Sequence, residues 1–289
     1  MTSPPPDGSR DRRIEDPTNL HLIHPLGRAL LGPALAARVP ANAVSVAGLL
    51  IGAAAAGAFA HWRDERFVVL GLALAVGWLV ADGLDGMVAR ATGTASALGR
   101  FLDGVCDHGV FVLVYVALAA SIGTAEAWVL AVTAGAMHAV QSSLYEGERR
   151  RYHRRVRGDD TGPGREHGGN PLVRLYDAVA FGLDRMAAAF DDRLGRPGGD
   201  ELARRYGELA AAPMRLQALL TANARIVVLA ATCLAGDPRL FWWIEIGPMT
   251  LVAITGIAWH RSVEGRLLRD ADHLSTRRDG VFRSEEHRG

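Results

Sequence analysis

The sequence predicts an all-α, polytopic membrane protein: six transmembrane helices, an N-terminal interfacial helix and a cytoplasmic helical insertion. Three observations predict it. Apolar residues make up 49% of the 289 residues and charged residues 22%, yet the charge is segregated. It fills both ends and the stretch Glu146–Arg215 and is nearly absent between them, as in membrane spans joined by wet loops. Six apolar stretches are long enough to cross a bilayer, at about 20 residues per span. Arginine is also distributed unevenly over the segments that join them.

Residues 1–19 are rich in Pro, Asp and Arg with no apolar core, which excludes a signal peptide and predicts a disordered tail. Leu20–Arg38 is amphipathic, carries Pro25 and Pro33, and suits a helix lying in the membrane interface. The spans then run roughly Ala41–Trp62, Phe67–Ala89, Leu98–Ile122, Ala125–Tyr145, Leu216–Ala235 and Leu240–His260. Between the fourth and fifth, 146–213 is too long for a structureless loop. Within it, Leu172, Leu175, Val179, Leu183, Met186, Phe190 and Leu194 recur at steps of three and four, an apolar helical stripe. That stripe suits a helix packed on the inner ends of the spans, or a surface helix beside a lipid entrance. Residues 270–289 form a second tail, leaving 20–269 as the membrane domain.

With the N-terminus inside, the inner segments hold the Arg149–Arg151 cluster with Arg154 and Arg155, and also Arg90, Arg100, Arg261, Arg266 and Arg269. The outer loops hold only Arg63, Arg66 and Arg239. The positive-inside rule puts both termini in the cytoplasm of a multi-pass inner-membrane protein. Every basic residue is arginine, so no lysine can serve as a Schiff base or a P-loop cation. Cys106 and Cys233 form no disulfide framework. The net charge of +1 gives no reason to expect nucleic acid as a partner.

Chemistry concentrates where the second and third spans meet. Asp82 and Asp85 are three residues apart and share one helical face; Asp103 and Asp107 are four apart and share another. Only Ala91–Leu98 separates the pairs, so the two helices form a hairpin with four carboxylates near its mouth. Like charges so close raise one another's pKa values, and the membrane edge adds desolvation; cations are required. An all-oxygen donor set favours Mg²⁺, Mn²⁺ or Ca²⁺. Two such ions can clamp a pyrophosphate through an in-line displacement. Gly83, Gly86, Ala89 and Gly99 remove bulk where a nucleotide and a neighbouring helix come close.

The pattern Asp82-x2-Asp85-Gly86-x2-Ala89-Arg90, eight residues, then Gly99-x3-Asp103-x3-Asp107 resembles the signature of the CDP-alcohol phosphotransferases at every fixed position. The resemblance extends over about Leu20–Arg269, excluding much of Arg149–Pro213. It implies two metal ions, Mg²⁺ or Mn²⁺, on Asp82, Asp85, Asp103 and Asp107. It also implies that Asp107 is the catalytic base that deprotonates the attacking alcohol. Gly86, Ala89, Arg90, Ser96 and Gly99 become positions facing the nucleotide and diphosphate. At the start of the first span Asn42 and Ser45 are candidates to hydrogen-bond the CDP group, with Ser45 where the family usually has Thr. The same two residues also suit a helix start as caps. The implied partners are a CDP-linked lipid donor, an alcohol acceptor, membrane lipid and a second copy of the chain.

Polar residues in the later spans are candidates for the acceptor site: His138, Gln141 and Ser142, then Thr221, Asn223 and Arg225. An intramembrane arginine is costly and faces a cavity or a partner, so Arg225 is a candidate substrate contact. Glu146–Arg151 reads as a solvated flank. Asp107-His108 departs from the Asp-Lys of phosphatidylglycerophosphate synthases. CDP-diacylglycerol with a small polar alcohol is the expected substrate pair. The alternative is a CDP-aminoalcohol with a lipid alcohol, which Thr92–Gly99 resembles. Two other classes compete. A membrane prenyltransferase needs aspartate motifs on well-separated helices. A divalent-cation transporter puts its carboxylates at the bilayer midplane.

Overall fold

The structure, a computed structural model, describes residues 11–94, 97–157, 188–196 and 198–286; for 97–107 and 272–286 only helical backbone is described. Every regular element among them is helical. The chain divides into an apolar unit, Glu15–Ser142 with Leu219–Leu251, and a charged unit, Met1–Ile14 with Ser143–Ala218 and Val252–Gly289.

In the apolar unit, a π-turn at Asn19–Ile23 leads into α1 (His24–Ala36). Pro25 sits in the first turn, where its missing N–H costs nothing. Helix α1 ends on Arg38 in the left-handed region at φ 54°, with Val39 N donating to Ala34 O at 3.0 Å. This closing turn is one usually given to glycine. Then come α2 (Ala41–Phe59), α3 (Glu65–Thr92) and α4 (Ala97–Ile122), followed by α5 (Ala125–Arg157). Asp64 caps α3 by accepting from Arg66 N at 2.9 Å, and Gly93 ends it at φ 66°.

Helix α2 is built almost wholly of Ala, Gly, Val and Leu, and it packs against both α3 and α4. Its small residues set the spacing. A Cβ at Gly48 would lie 3.2 Å from Ala81 Cβ, and one at Gly52 only 2.3 Å from Val110 Cγ2. Such close backbone approach supplies the dispersion contacts that hold helices together in lipid. Trp78 meets Phe111 edge to face at 5.7 Å within the core. Helix α9 (Ala222–Leu234) packs on α3, and α10 (Arg239–Ile244) follows it. A π-turn then runs over Glu245–Met249, where Pro248 cannot donate to the ladder.

The charged unit contains α6 (described over 188–194), α7 (Gly199–Leu209) and α8 (Ala211–Gln217). It also takes the end of α5 and most of α11 (Thr250–Glu286). Helix α7 presents Leu202 and Tyr206 inward and Glu201, Arg204 and Glu208 to solvent.

Several expectations shift against these elements. Each of the six predicted spans falls on helix, but among the described residues three segments meet the length and hydropathy needed to cross a membrane. They are Ala41–Phe59, Glu65–Thr92 and Arg239–Ala271. Ala211–Leu220 with Ala222–Leu234, bent by 46°, makes a fourth if counted as one span. The described apolar part of α4 is only His108–Ile122. Helix α5 carries His138 and Gln141 within its apolar half. The expected N-terminal tail is ordered from residue 11, for Ile14 is 1% exposed and Asp16 accepts from Thr221 Oγ1 at 3.0 Å. The chain beyond residue 269 continues as helix to Glu286. Most of the Leu172–Leu194 stripe lies outside the described residues; Phe190 within it is buried.

Candidate active site

The last turns of α3 carry Asp82, Asp85, Gly86, Ala89 and Arg90. Asp85 is buried at 5% exposure, Asp82 is half-buried and Arg90 is exposed. The buried carboxylate has a partner that the sequence did not name. Ser45 Oγ, from the first turns of α2, donates to Asp85 Oδ2 at 2.5 Å. Ser45 therefore spends its proton on Asp85 and does not act as a plain helix cap. The bond ties the carboxylate to α2 and sets its orientation across the α2–α3 contact. Arg90 folds back over Gly86, where a Cβ would meet Arg90 Nη1 at 3.2 Å. Asp82 makes internal contacts of its own.

Helix α4 carries Gly99, Asp103 and Asp107 on its described backbone, with the two aspartates one turn apart. Their side chains, and Ser96, lie outside the described residues. Among the described residues no group of three metal-ligating side chains is assembled. The donor set that α3 presents, carboxylate without His or Cys, is the kind that hard divalent cations take.

Asn42 is exposed and lines a cleft of about 300 Å³ with Arg38, Pro40, Thr92 and Thr94. This cleft borders the end of α3, one turn beyond Arg90. Thr92 Oγ1 donates to Val88 O at 2.8 Å and lies 2.8 Å from Thr94 Oγ1. A ligand here meets a guanidinium, an amide and two hydroxyls.

Arg225 is placed differently from the substrate contact expected of it. It is fully buried and internally satisfied. Nη1 pairs with Glu245, Nη2 donates to Gln141 Oε1 at 2.9 Å, and Nε donates to Leu220 O at 3.0 Å. Tyr115 donates to Glu245 Oε1 at 3.1 Å, and His138 Nδ1 lies 3.0 Å from the Tyr115 hydroxyl. Gln141 Nε2 donates to the Glu245 carbonyl and to Thr250 Oγ1, both at 2.9 Å. His138, Gln141 and Arg225 thus close on Glu245 instead of lining an open site. Asn223 Nδ2 donates to Thr18 Oγ1 at 2.6 Å and Thr221 to Asp16, so both hold the N-terminal segment. Sequence reasoning missed Glu245; the available signal was a lone acid in an apolar stretch that also had to neutralise Arg225.

The run Glu146–Arg151 is not merely a solvated flank. Glu148 is 1% exposed, with His260 Nδ1 at 2.5 Å, Arg151 Nη1 at 2.5 Å and Arg261 alongside. Burial alone would raise its pKa. The His260 hydrogen bond and the Arg261 and Arg151 charges outweigh that and hold it down to about 2. Arg155 extends the network to Glu264 at 2.5 Å and Asp191 at 2.6 Å. Tyr206 lies 2.7 Å from His260 Nε2, and burial pushes the Tyr206 hydroxyl well up. The partners lie tens to more than a hundred residues from α5, beyond what local spacing can reveal.

Comparison with known proteins adds one finding to this geometry. No curated protein matches the chain. Residues 38–155, from the strained Arg38 to the buried Arg155, match the family model for CDP-alcohol phosphatidyltransferase. The matched region contains both carboxylate pairs, Ser45, Asn42 and all of the cleft's lining except Leu35. Residues 38–155, about two fifths of the chain, are thus similar to CDP-alcohol phosphatidyltransferases, and the described residues include three helices long and apolar enough to cross a membrane.

Proposed function

We propose that the protein transfers a phosphatidyl group from CDP-diacylglycerol to a small polar alcohol, releasing CMP. The observation that carries this is the eight-position pattern Asp82 to Asp107 over the end of α3 and the start of α4, with Asp85 bonded to Ser45. Asp82, Asp85 and Asp103 would hold two Mg²⁺ or Mn²⁺ ions, with Asp107 a ligand or neighbour of the second, and when bound the ions neutralise the diphosphate. Asn42, Gly86, Ala89, Arg90, Ser96 and Gly99 face the CDP group. Gly86 and Ala89 leave room for it, and Arg90 supplies a cation to the diphosphate. Asp107 takes the proton of the acceptor hydroxyl. The alcohol oxygen bonds to the phosphorus bearing the lipid, the P–O bond to CMP breaks, and CMP leaves with the electron pair. The enclosed Arg225 has no part in this step.

In this reading six helices cross the membrane, the chain works as a homodimer, and the α3–α4 mouth opens to the cytoplasm, where CDP-activated lipids are made. The test is the purified full chain in lipid with CDP-diacylglycerol and a panel of alcohols, following CMP release. CMP release should vanish with EDTA and return with Mg²⁺ or Mn²⁺. Asp103→Asn should weaken donor binding, whereas Asp107→Asn should spare it and cut turnover about 10²–10⁴-fold. Full activity after exhaustive chelation would remove the metal mechanism. CMP release only from a CDP-aminoalcohol onto diacylglycerol would replace the donor assignment, and none from any donor would end the transfer reading.

A further inference from the structure

In the charged unit a groove of about 420 Å³ runs between the α7–α8 corner and α11. Its walls are apolar: Leu209, Ala212, Trp259, Val263 and Leu267. Leu209 is 50% exposed and Trp259 41%, so a large apolar surface stands open. Its rim is cationic. Arg266 and Arg269 are exposed, and neither has an acidic partner among the described residues. Among the described residues the acid at the rim, Asp270, is engaged by Arg205 at 2.9 Å. The position along α11 is telling. Trp259 is the last residue of the apolar run before His260, Arg261 and Glu264, and tryptophan at such a junction marks the membrane–water interface. The groove therefore has hydrocarbon-like walls on the bilayer side and two exposed guanidiniums on the water side.

We propose that this groove holds one anionic phospholipid of the surrounding bilayer. An acyl chain lies along Leu209, Ala212, Trp259 and Val263, and the headgroup phosphate sits between Arg266 and Arg269. Guanidinium forks match phosphate oxygens. A lipid is also always at hand for a helix that enters the membrane here. The proposal uses none of the carboxylate-motif residues and stands or falls apart from the transfer chemistry. It requires only that α11 enters a bilayer.

The experiment is native mass spectrometry of the full chain released from bilayer discs of phosphatidylglycerol and phosphatidylcholine in equal amounts. The wild type should retain phosphatidylglycerol over phosphatidylcholine. The double variant Arg266→Gln/Arg269→Gln should lose that retention by about 10- to 30-fold, as expected for two arginines near a charged surface. Arg12→Gln/Arg157→Gln, which removes two exposed arginines elsewhere, should retain the lipid. Leu209→Asn should weaken both lipids. Equal phosphatidylglycerol retention by the wild type and the Arg266/Arg269 variant would overturn the site. So would equal loss in the Arg12/Arg157 control, which would mean diffuse attraction. A shift from dimer to monomer in the Arg266/Arg269 variant, with bound lipid unchanged, would overturn it in favour of self-association.

Discussion

Ser45 shows how much one hydroxyl can decide. Asp85 lies at 5% exposure with the Ser45 proton 40 residues upstream committed to it. If Asp85 holds a metal as proposed, the Ser45 hydroxyl bonded to it fixes the carboxylate's orientation, and losing such a donor costs roughly 10- to 100-fold in metal affinity. Ser45→Ala should therefore weaken Mn²⁺ binding, read by electron paramagnetic resonance, by about that factor. Ser45→Thr, which keeps the hydroxyl, should restore it. Unchanged Mn²⁺ affinity in Ser45→Ala would leave Ser45 a packing residue only. Loss in Ser45→Ala with none in Asp85→Asn would deny Asp85 a ligand role. The aspartate spacing was legible in the sequence because it is local, three and four residues on a helix. The Ser45–Asp85 bond was not, because it depends on which face α2 turns to α3. Glu245 escaped for the same reason: its partners Tyr115, His138 and Gln141 are over a hundred residues away.

At the scale of elements, helix positions were readable because apolar length and the punctuation at Pro40, Asp64 and Gly93 are sequence properties. Helix spacing was not. It is set by contacts such as Gly52 against Val110, where a methyl would lie 2.3 Å from Val110 Cγ2. Valine is stiff at χ1 and cannot swing away, so the helices themselves must part. Gly52→Ala should cost about 1–3 kcal/mol, read as a lower melting temperature. Gly57, on the same helix with nothing within 4 Å of its missing Cβ, is the internal control. Gly57→Ala should leave the melting temperature unchanged or raise it, since alanine favours helix. Equal losses at both positions would mean that glycine content, and not the α2–α4 contact, sets stability.

For the whole molecule, the arginine asymmetry makes a claim about sidedness that helix packing alone cannot make. The proposed mouth between α3 and α4 must face the nucleotide pool. A cysteine at Ala95, in a background without Cys106 and Cys233, should resist an impermeant thiol reagent in intact cells. It should label in inside-out vesicles, and one at Glu65 should do the reverse. Labelling at Ala95 from outside would invert the arrangement and separate the motif from its donor.

The Arg225–Glu245 pair also bears on biogenesis. Arg225 stands on α9 and Glu245 just past α10, joined by a short connection through Gly236. An arginine near the middle of an apolar segment opposes insertion by roughly 2.5–3.5 kcal/mol, and a buried acid without its counter-charge fares no better. Neither segment is well suited to leave the translocon alone. Together they neutralise each other, so in the six-span arrangement proposed above the chain from Ala222 to Met249 would enter the lipid as a closed hairpin, its two charges already joined.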